Sequence, residues 1–186
     1  MALKSTIYKA AVQVADMDRN VYATHALTLA MHPSETEERL MVRVLAHALL
    51  ADEHEGADAL QAARGLSDAD EPALWQHDLT GQILHWVDIG QPDERRLAKA
   101  CGRARRVSVY AFASSVPVWW AALRNKVTRL SNLEVWQLPA AQTQALAALA
   151  QRSMQLQVTV QDGLVWVADG SRSIDIQPTP LWPETR

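Results

Sequence analysis

Among its 186 residues the chain has one cysteine, one phenylalanine and four lysines. A lone Cys101 has no internal disulfide partner, which suits a reducing compartment. It also leaves a thiolate metal site short of ligands. Glycine (7) and proline (8) are too scarce for a low-complexity or disordered chain. No apolar run approaches the ~20 residues of a membrane span, and the first residues lack the apolar core of a signal peptide. No membrane partner is expected, and the cytoplasm is the expected location. Walker loops, GxGxxG, HExxH and the glycine elbow of serine hydrolases are all missing. The net charge of -3 argues against coating nucleic acid by bulk charge, although a local basic face is compatible with it. A mechanism that needs an ammonium group can draw only on Lys4, Lys9, Lys99 and Lys126.

What is present reads as ordinary globular composition, 48% hydrophobic and 21% charged. The length favours one domain over 1–186, large enough to bury a core without a metal or disulfide. Ile7–Val14 is rich in β-branched residues, 15–20 supply turn chemistry, and Val21–Met31 alternates, so a long antiparallel hairpin is expected. His32-Pro33-Ser34 ends it. Ser34 with Glu37 reads as a capping box opening a helix. Its apolar stripe is Leu40, Met41, Val44, Leu45, Ala48 and Leu49, and it should end between Asp52 and Gly56. Residues 59–66 are ambiguous between strand and helix, and 67–72 form an acidic loop. Ile83–Ile89 reads as a strand, followed by a helix from about Gln91 to Arg103. A strand at Val107–Phe112, a helix at Pro117–Asn125, a strand at Leu133–Leu138 and a helix at Pro139–Arg152 come next. Strands at Met154–Val160, Leu164–Ala168 and Ser173–Gln177, joined by Asp-Gly turns, close the chain. Alternation over 83–150 predicts parallel pairing within a mixed α/β sheet, with strands at both ends.

Two features carry chemistry. Asp78 precedes a turn, and Asp88 lies near the end of an apolar strand, where Asp is depleted and a lone charge is costly. Brought together, they are hard oxygen ligands for Mg²⁺ or Mn²⁺, which would acidify a water and neutralise a phosphoryl oxygen. Kept apart, they are local caps. Glu35 and Glu38 open the preceding helix as dipole compensation or as extra ligands. Arg95, Arg96, Lys99, Arg103 and Arg106 recur at three- and four-residue steps. That is a basic stripe for phosphate contact, with Lys99 steadying developing charge, or else a solvated face. His85 reads more readily as a hydrogen-bonded strand histidine than as a catalyst. Trp119-Trp120 reads as core or as an interface anchor, and Cys101 as a small core residue.

Met1-Ala2-Leu3-Lys4-Ser5-Thr6-Ile7-Tyr8-Lys9-Ala10, His32-Pro33-Ser34-Glu35-Thr36-Glu37-Glu38-Arg39, Trp86-Val87-Asp88-Ile89-Gly90-Gln91-Pro92-Asp93-Glu94-Arg95-Arg96 and Leu156–Gly163 together resemble the bacterial YaeQ family over essentially the whole chain. The resemblance implies a PD-(D/E)XK nuclease-like, restriction-endonuclease-like fold: a central mixed sheet with an α-β-β-β-α-β core, flanked by helices. It implies a divalent metal held by Asp78 and Asp88, with Glu38 or Glu35 assisting. The pattern's lysine position falls on Gly90, so Lys99 on the next helix would have to substitute. Two functions follow as expectations: a metal-dependent phosphodiesterase acting on nucleic acid, with Arg95, Arg96 and Arg103 on the phosphates, or an inactive relative that binds nucleic acid or a protein. Fold alone does not choose between them.

Overall fold

A computed structural model of the protein describes residues 4–52 and 56–184. Strands β1 (Thr6–Asp16) and β2 (Val21–Met31) form the expected hairpin, paired over all their residues. Tyr8, Ala10, Val12 and Val14 of β1 point inward by simple alternation. Helix α1 (Glu37–Leu50) starts later than the capping-box reading. A turn closed by Glu35 N–H on His32 O comes first, and the Ser34 N–H bonds His32 Nδ1. Thr36 is therefore the cap, its hydroxyl accepting from Arg39 N at 3.1 Å. The helix ends at Leu50, ahead of the expected 52–56 window, of which 53–55 lie outside the described residues, as do Met1-Ala2-Leu3 of the first motif.

Then follow β3 (Gln61–Ala62), β4 (Leu74–His77), β5 (Ile83–Ile89), α2 (Glu94–Arg103), β6 (Ala104–Ala111), α3 (Val116–Val127), β7 (Leu133–Gln137) and α4 (Ala140–Ala147). The chain closes with β8 (Ser153–Gln161), β9 (Leu164–Ala168), β10 (Ser173–Ile176) and β11 (Thr179–Trp182). The last helix is shorter than expected because residues 148–150 tighten into i→i+3 bonds that draw Leu149 into the core. β4 is too short to show a period. β11 carries Pro180 and takes an edge position, where a missing N–H costs no ladder bond.

Two mixed sheets result, ordered β10-β9-β8-β1-β2 and β11-β7-β6-β5-β4-β3. In the first, β1 runs parallel to β8, although 136 residues separate the end of one from the start of the other. In the second, β5, β6 and β7 are mutually parallel and β4 is antiparallel to β5. From α1 to β6 the chain runs helix, three strands, helix, strand, with a single 3-10 turn at Gly65–Ser67 between β3 and β4. One core lies between the sheets and encloses α1. Residues 40–48 of that helix are buried all round, including Arg43 and His47, as a helix sandwiched between layers must be. A second core packs α2 and α3 on the outer face of the second sheet, with Leu97, Ala100, Trp120, Leu123 and Val127 against Trp86, Val107 and Val109. No helix of the described residues is long and apolar enough to cross a membrane.

Candidate functional site

Asp88 is 4% exposed near the end of β5 and faces α2. Arg96, one turn into α2, meets it with two parallel bonds, Nε to Oδ2 at 2.7 Å and Nη2 to Oδ1 at 2.8 Å. Such a fork is the strongest carboxylate–guanidinium geometry. The same guanidinium donates to Ala69 O at 2.8 Å and Glu71 O at 3.0 Å. Arg96 therefore staples the 65–72 loop to the strand end, and Asp88 holds it firmly cationic. Its alignment is built locally: Asp93 caps α2 by accepting from Arg96 N at 2.8 Å. Gly90 makes the preceding bend at φ 108, a backbone region L side chains rarely adopt. That bend explains why glycine stands at the pattern's lysine position. A cleft of about 340 Å³ opens beside the pair, lined in part by Arg39, Asp88, Gln91 and Arg96.

Asp78 does not join Asp88. Its backbone N–H bonds Gln82 O, which sets it level with the start of β5, six residues and about 20 Å from Asp88. Its Oδ1 accepts from Thr80 N, Thr80 Oγ1 and Gln82 N, so Asp78 organises the turn. Those donors hold its carboxyl below the usual range. Glu35 turns inward to Arg39 (2.7 Å) and the buried Arg43 (3.0 Å). Glu38 accepts from Thr143 on α4 at 2.6 Å. Lys99 is paired with Asp70, and Arg103 donates to Asp70 O at 3.1 Å. Arg96, Lys99 and Arg103 thus pin the acidic loop, the last two from exposed positions, and Arg95 is exposed as well. Arg106 is not on the helix at all; it lies on β6 and pairs with Glu134.

These acids do not suit a Mg²⁺ or Mn²⁺ centre: each is spent on a different local partner. Among the described residues no group of three or more His, Cys, Asp or Glu is placed to share an ion.

The other singled-out residues have structural partners. His85 Nε2 lies 2.7 Å from Ser108 Oγ, and Ser108 donates to Glu134, so the imidazole must carry its proton on Nε2. Burial holds His85 neutral, with its pKa lowered to about 3. Ser108 is fully buried, so this relay ties three strands together across the sheet. Trp120 is core, and Trp119 donates to Pro92 O at 3.0 Å, locking α3 to the start of α2. Cys101 packs against the outer core, and burial lifts its thiol to about 11.

Residues 92–130 carry nine of the chain's 18 basic side chains and two of its 21 acidic ones. The acidic net charge therefore hides a basic helical layer. Arg124, Lys126 and Arg129 add cations on α3 and the turn after it, the last two lying 3.9 and 3.8 Å from Glu94 at the start of α2. A running charge count along the sequence exposes this asymmetry, whereas helical spacing on α2 alone does not.

Sheet and site together define a mixed α/β protein in which a guanidinium closes the acid at the end of a central strand, beneath a basic helical face. The chain belongs to the YaeQ family, whose model, described as YaeQ protein, matches residues 1–178. It is 48% identical to the YaeQ protein of Salmonella typhi over 181 residues, covering 96% of this chain and 97% of that one. It is 45% identical to that of Escherichia coli K12, with the same coverage. The crystal structure of YaeQ from Xanthomonas axonopodis pv. citri matches with TM-score 0.89 at 46% identity, covering 95% of this chain and 98% of that one. That from Pseudomonas syringae matches with TM-score 0.88 at 38% identity, covering 95% and 96%.

Proposed function

We propose that this protein is a non-hydrolysing nucleic-acid-binding module built on a nuclease-like sheet. The observation that carries the reading is the Arg96–Asp88 fork beneath a basic helical layer. The fork spends the strand-end carboxylate on structure. The layer above it, with Arg95, Arg124, Lys126 and Arg129, offers cations at the surface. Phosphate contact needs only such cations and their counterion release, not a metal. The strand order and directions of the second sheet support a nuclease-like ancestry.

Fluorescence anisotropy with labelled single- and double-stranded DNA and RNA tests this. Binding should weaken with salt. Arg95→Ala combined with Lys126→Ala should lower the log–log salt slope by about 2, one unit per lost phosphate contact. No oligonucleotide should be cut with Mg²⁺ or Mn²⁺. Absence of binding at low salt sinks the reading. Metal-dependent cleavage abolished by Asp88→Asn would instead restore the phosphodiesterase, with Asp78, Glu35, Glu38 and Lys99 back in question.

A further inference from the structure

Strand β2 is an edge without the usual guards. It ends the order of the first sheet and spans 11 residues, VYATHALTLAM, with no Asp, Glu, Lys, Arg or Pro and no bulge against β1. Every second residue turns its N–H and C=O away from β1, and no backbone bond joins β2 to another described element; at the end of this row the Ala30 carbonyl accepts from Arg43 Nη2 at 3.1 Å, so the open stretch centres on Thr24, Ala26 and Thr28. Natural sheets blunt such edges with charge, proline, bulges or brevity because an open edge templates a further strand.

The surrounding surface agrees. The outward faces of β1, β2 and β8 carry one charged side chain, Lys9, in a chain that is 21% charged. Depletion of charge is the compositional mark of an interface core. On the inward face the core thins at the edge: Tyr8, Ala10, Val12 and Val14 of β1 are buried, whereas Val21, Ala23 and Leu27 of β2 are only half-covered.

We propose that β2 is the seam of a two-fold dimer, in which the β2 strands of two copies pair antiparallel about Ala26 and join two five-stranded sheets into one. One register about Ala26 pairs like with like at the threonines. Centred on Ala26, Thr24 faces Thr28 of the other copy, Tyr22 faces Ala30, and Ala23 faces Leu29. Threonine pairs hydrogen-bond across strands, Ala26 sits at the axis between His25–Leu27 pairs, and no like charges meet. A two-fold seam uses the same patch on both copies and closes on itself. That closure makes a second copy, rather than an unlimited stack, the occupant. The other edge, β10, is four residues long and carries Asp175.

Sedimentation velocity on the full chain from about 1 to 200 µM tests the seam. A reversible monomer–dimer equilibrium without larger species is expected. Ala26→Lys, which opposes two ammonium groups at the axis, should weaken it at least about tenfold with unchanged circular dichroism. Ala26→Cys should give a disulfide dimer on mild oxidation, whereas Gln157→Cys, two strands in from the edge, should not; this arm holds even if the lysine variant misfolds. A monomer at every concentration, a dimer indifferent to Ala26→Lys, open-ended polymers, or equal crosslinking of both cysteine variants would each overturn the proposal. So would capture of an extended peptide from another protein at β2 by a chain that never self-associates.

Discussion

Replacing Arg96 with alanine tests the reading of the strand end directly. The wild-type pair joins a carboxylate side chain 5% exposed to a guanidinium 29% exposed. Truncation removes both bonds to Asp88 and both loop anchors, at Ala69 O and Glu71 O. Breaking a buried pair by removing one partner costs about 3–5 kcal/mol, because the remaining charge is stranded. Arg96 is partly solvated, which places the expectation at the low end, about 3 kcal/mol. For a chain of this length that is a fall of about 6–12 °C in Tm. Asp88→Asn is milder, about 1–2 kcal/mol, since Arg96 can turn to water. The double variant should recover part of the loss, with a coupling energy of about 2 kcal/mol. Urea denaturation of the four proteins closes the cycle. A loss under about 1 kcal/mol for Arg96→Ala, or zero coupling, would refute the argument. About 10 mM Mg²⁺ should leave the wild-type Tm unchanged; a rise that Asp88→Asn removes would equally refute it.

The other expectations are quicker to check. His47 and His85 have pKa values lowered by burial to about 4 and about 3, so the unfolded chain takes up protons first below pH 6.5. Their contribution is intact above pH 6.5 and is lost as pH falls towards those values, by about 2 kcal/mol per histidine at pH 5. Urea midpoints at pH 7 and 5 measure this, and His85→Gln should shallow the dependence. Cys101, with its thiol lifted to about 11, should be alkylated about 100-fold more slowly than a free thiol until the chain unfolds. Gly90→Lys restores the pattern's lysine. The new Cβ meets nothing within 4 Å, so the cost is backbone strain at φ 108, about 1–2 kcal/mol, and no cleavage activity should appear in a nuclease assay.

The sequence revealed those parts of the fold whose physics is local. The β1–β2 hairpin, the α2 and α3 helices and the Asp-Gly turns follow from alternation, caps and turn residues, and they stand where those signals put them. The parallel pairing of β1 with β8 has no local signal, because it joins distant parts of the chain. The all-round burial of α1 has no local signal for a related reason. Arg43 and His47 lie off the apolar stripe, and only the sandwich between two sheets explains their burial against Glu35 and Leu60 O. The expected meeting of Asp78 and Asp88 turns on register, which the sequence does not show. Asp78 and Asp88 flank one strand, and the antiparallel return of β4 sends them to opposite ends of it. The basic stripe was legible as a pattern, but the turning of Arg96 alone into the strand end was not.

That orientation of Arg96 matters for what the helix does. Arg95 and Arg96 are adjacent in sequence and so about 100° apart around α2. Arg96 points into the strand end and is consumed by four acceptors, while Arg95 is exposed. Stability and binding should therefore separate at consecutive residues. Arg95→Ala should leave the urea midpoint within about 0.5 kcal/mol of wild type, as a surface change does, and should lower oligonucleotide affinity with one unit less salt dependence. Arg96→Lys keeps the charge but loses the fork, so it should destabilise without removing the salt-dependent term. If both variants lose binding and stability in the same proportion, the outward face is not a separate surface, and the basic layer serves only to hold the acidic loop in place.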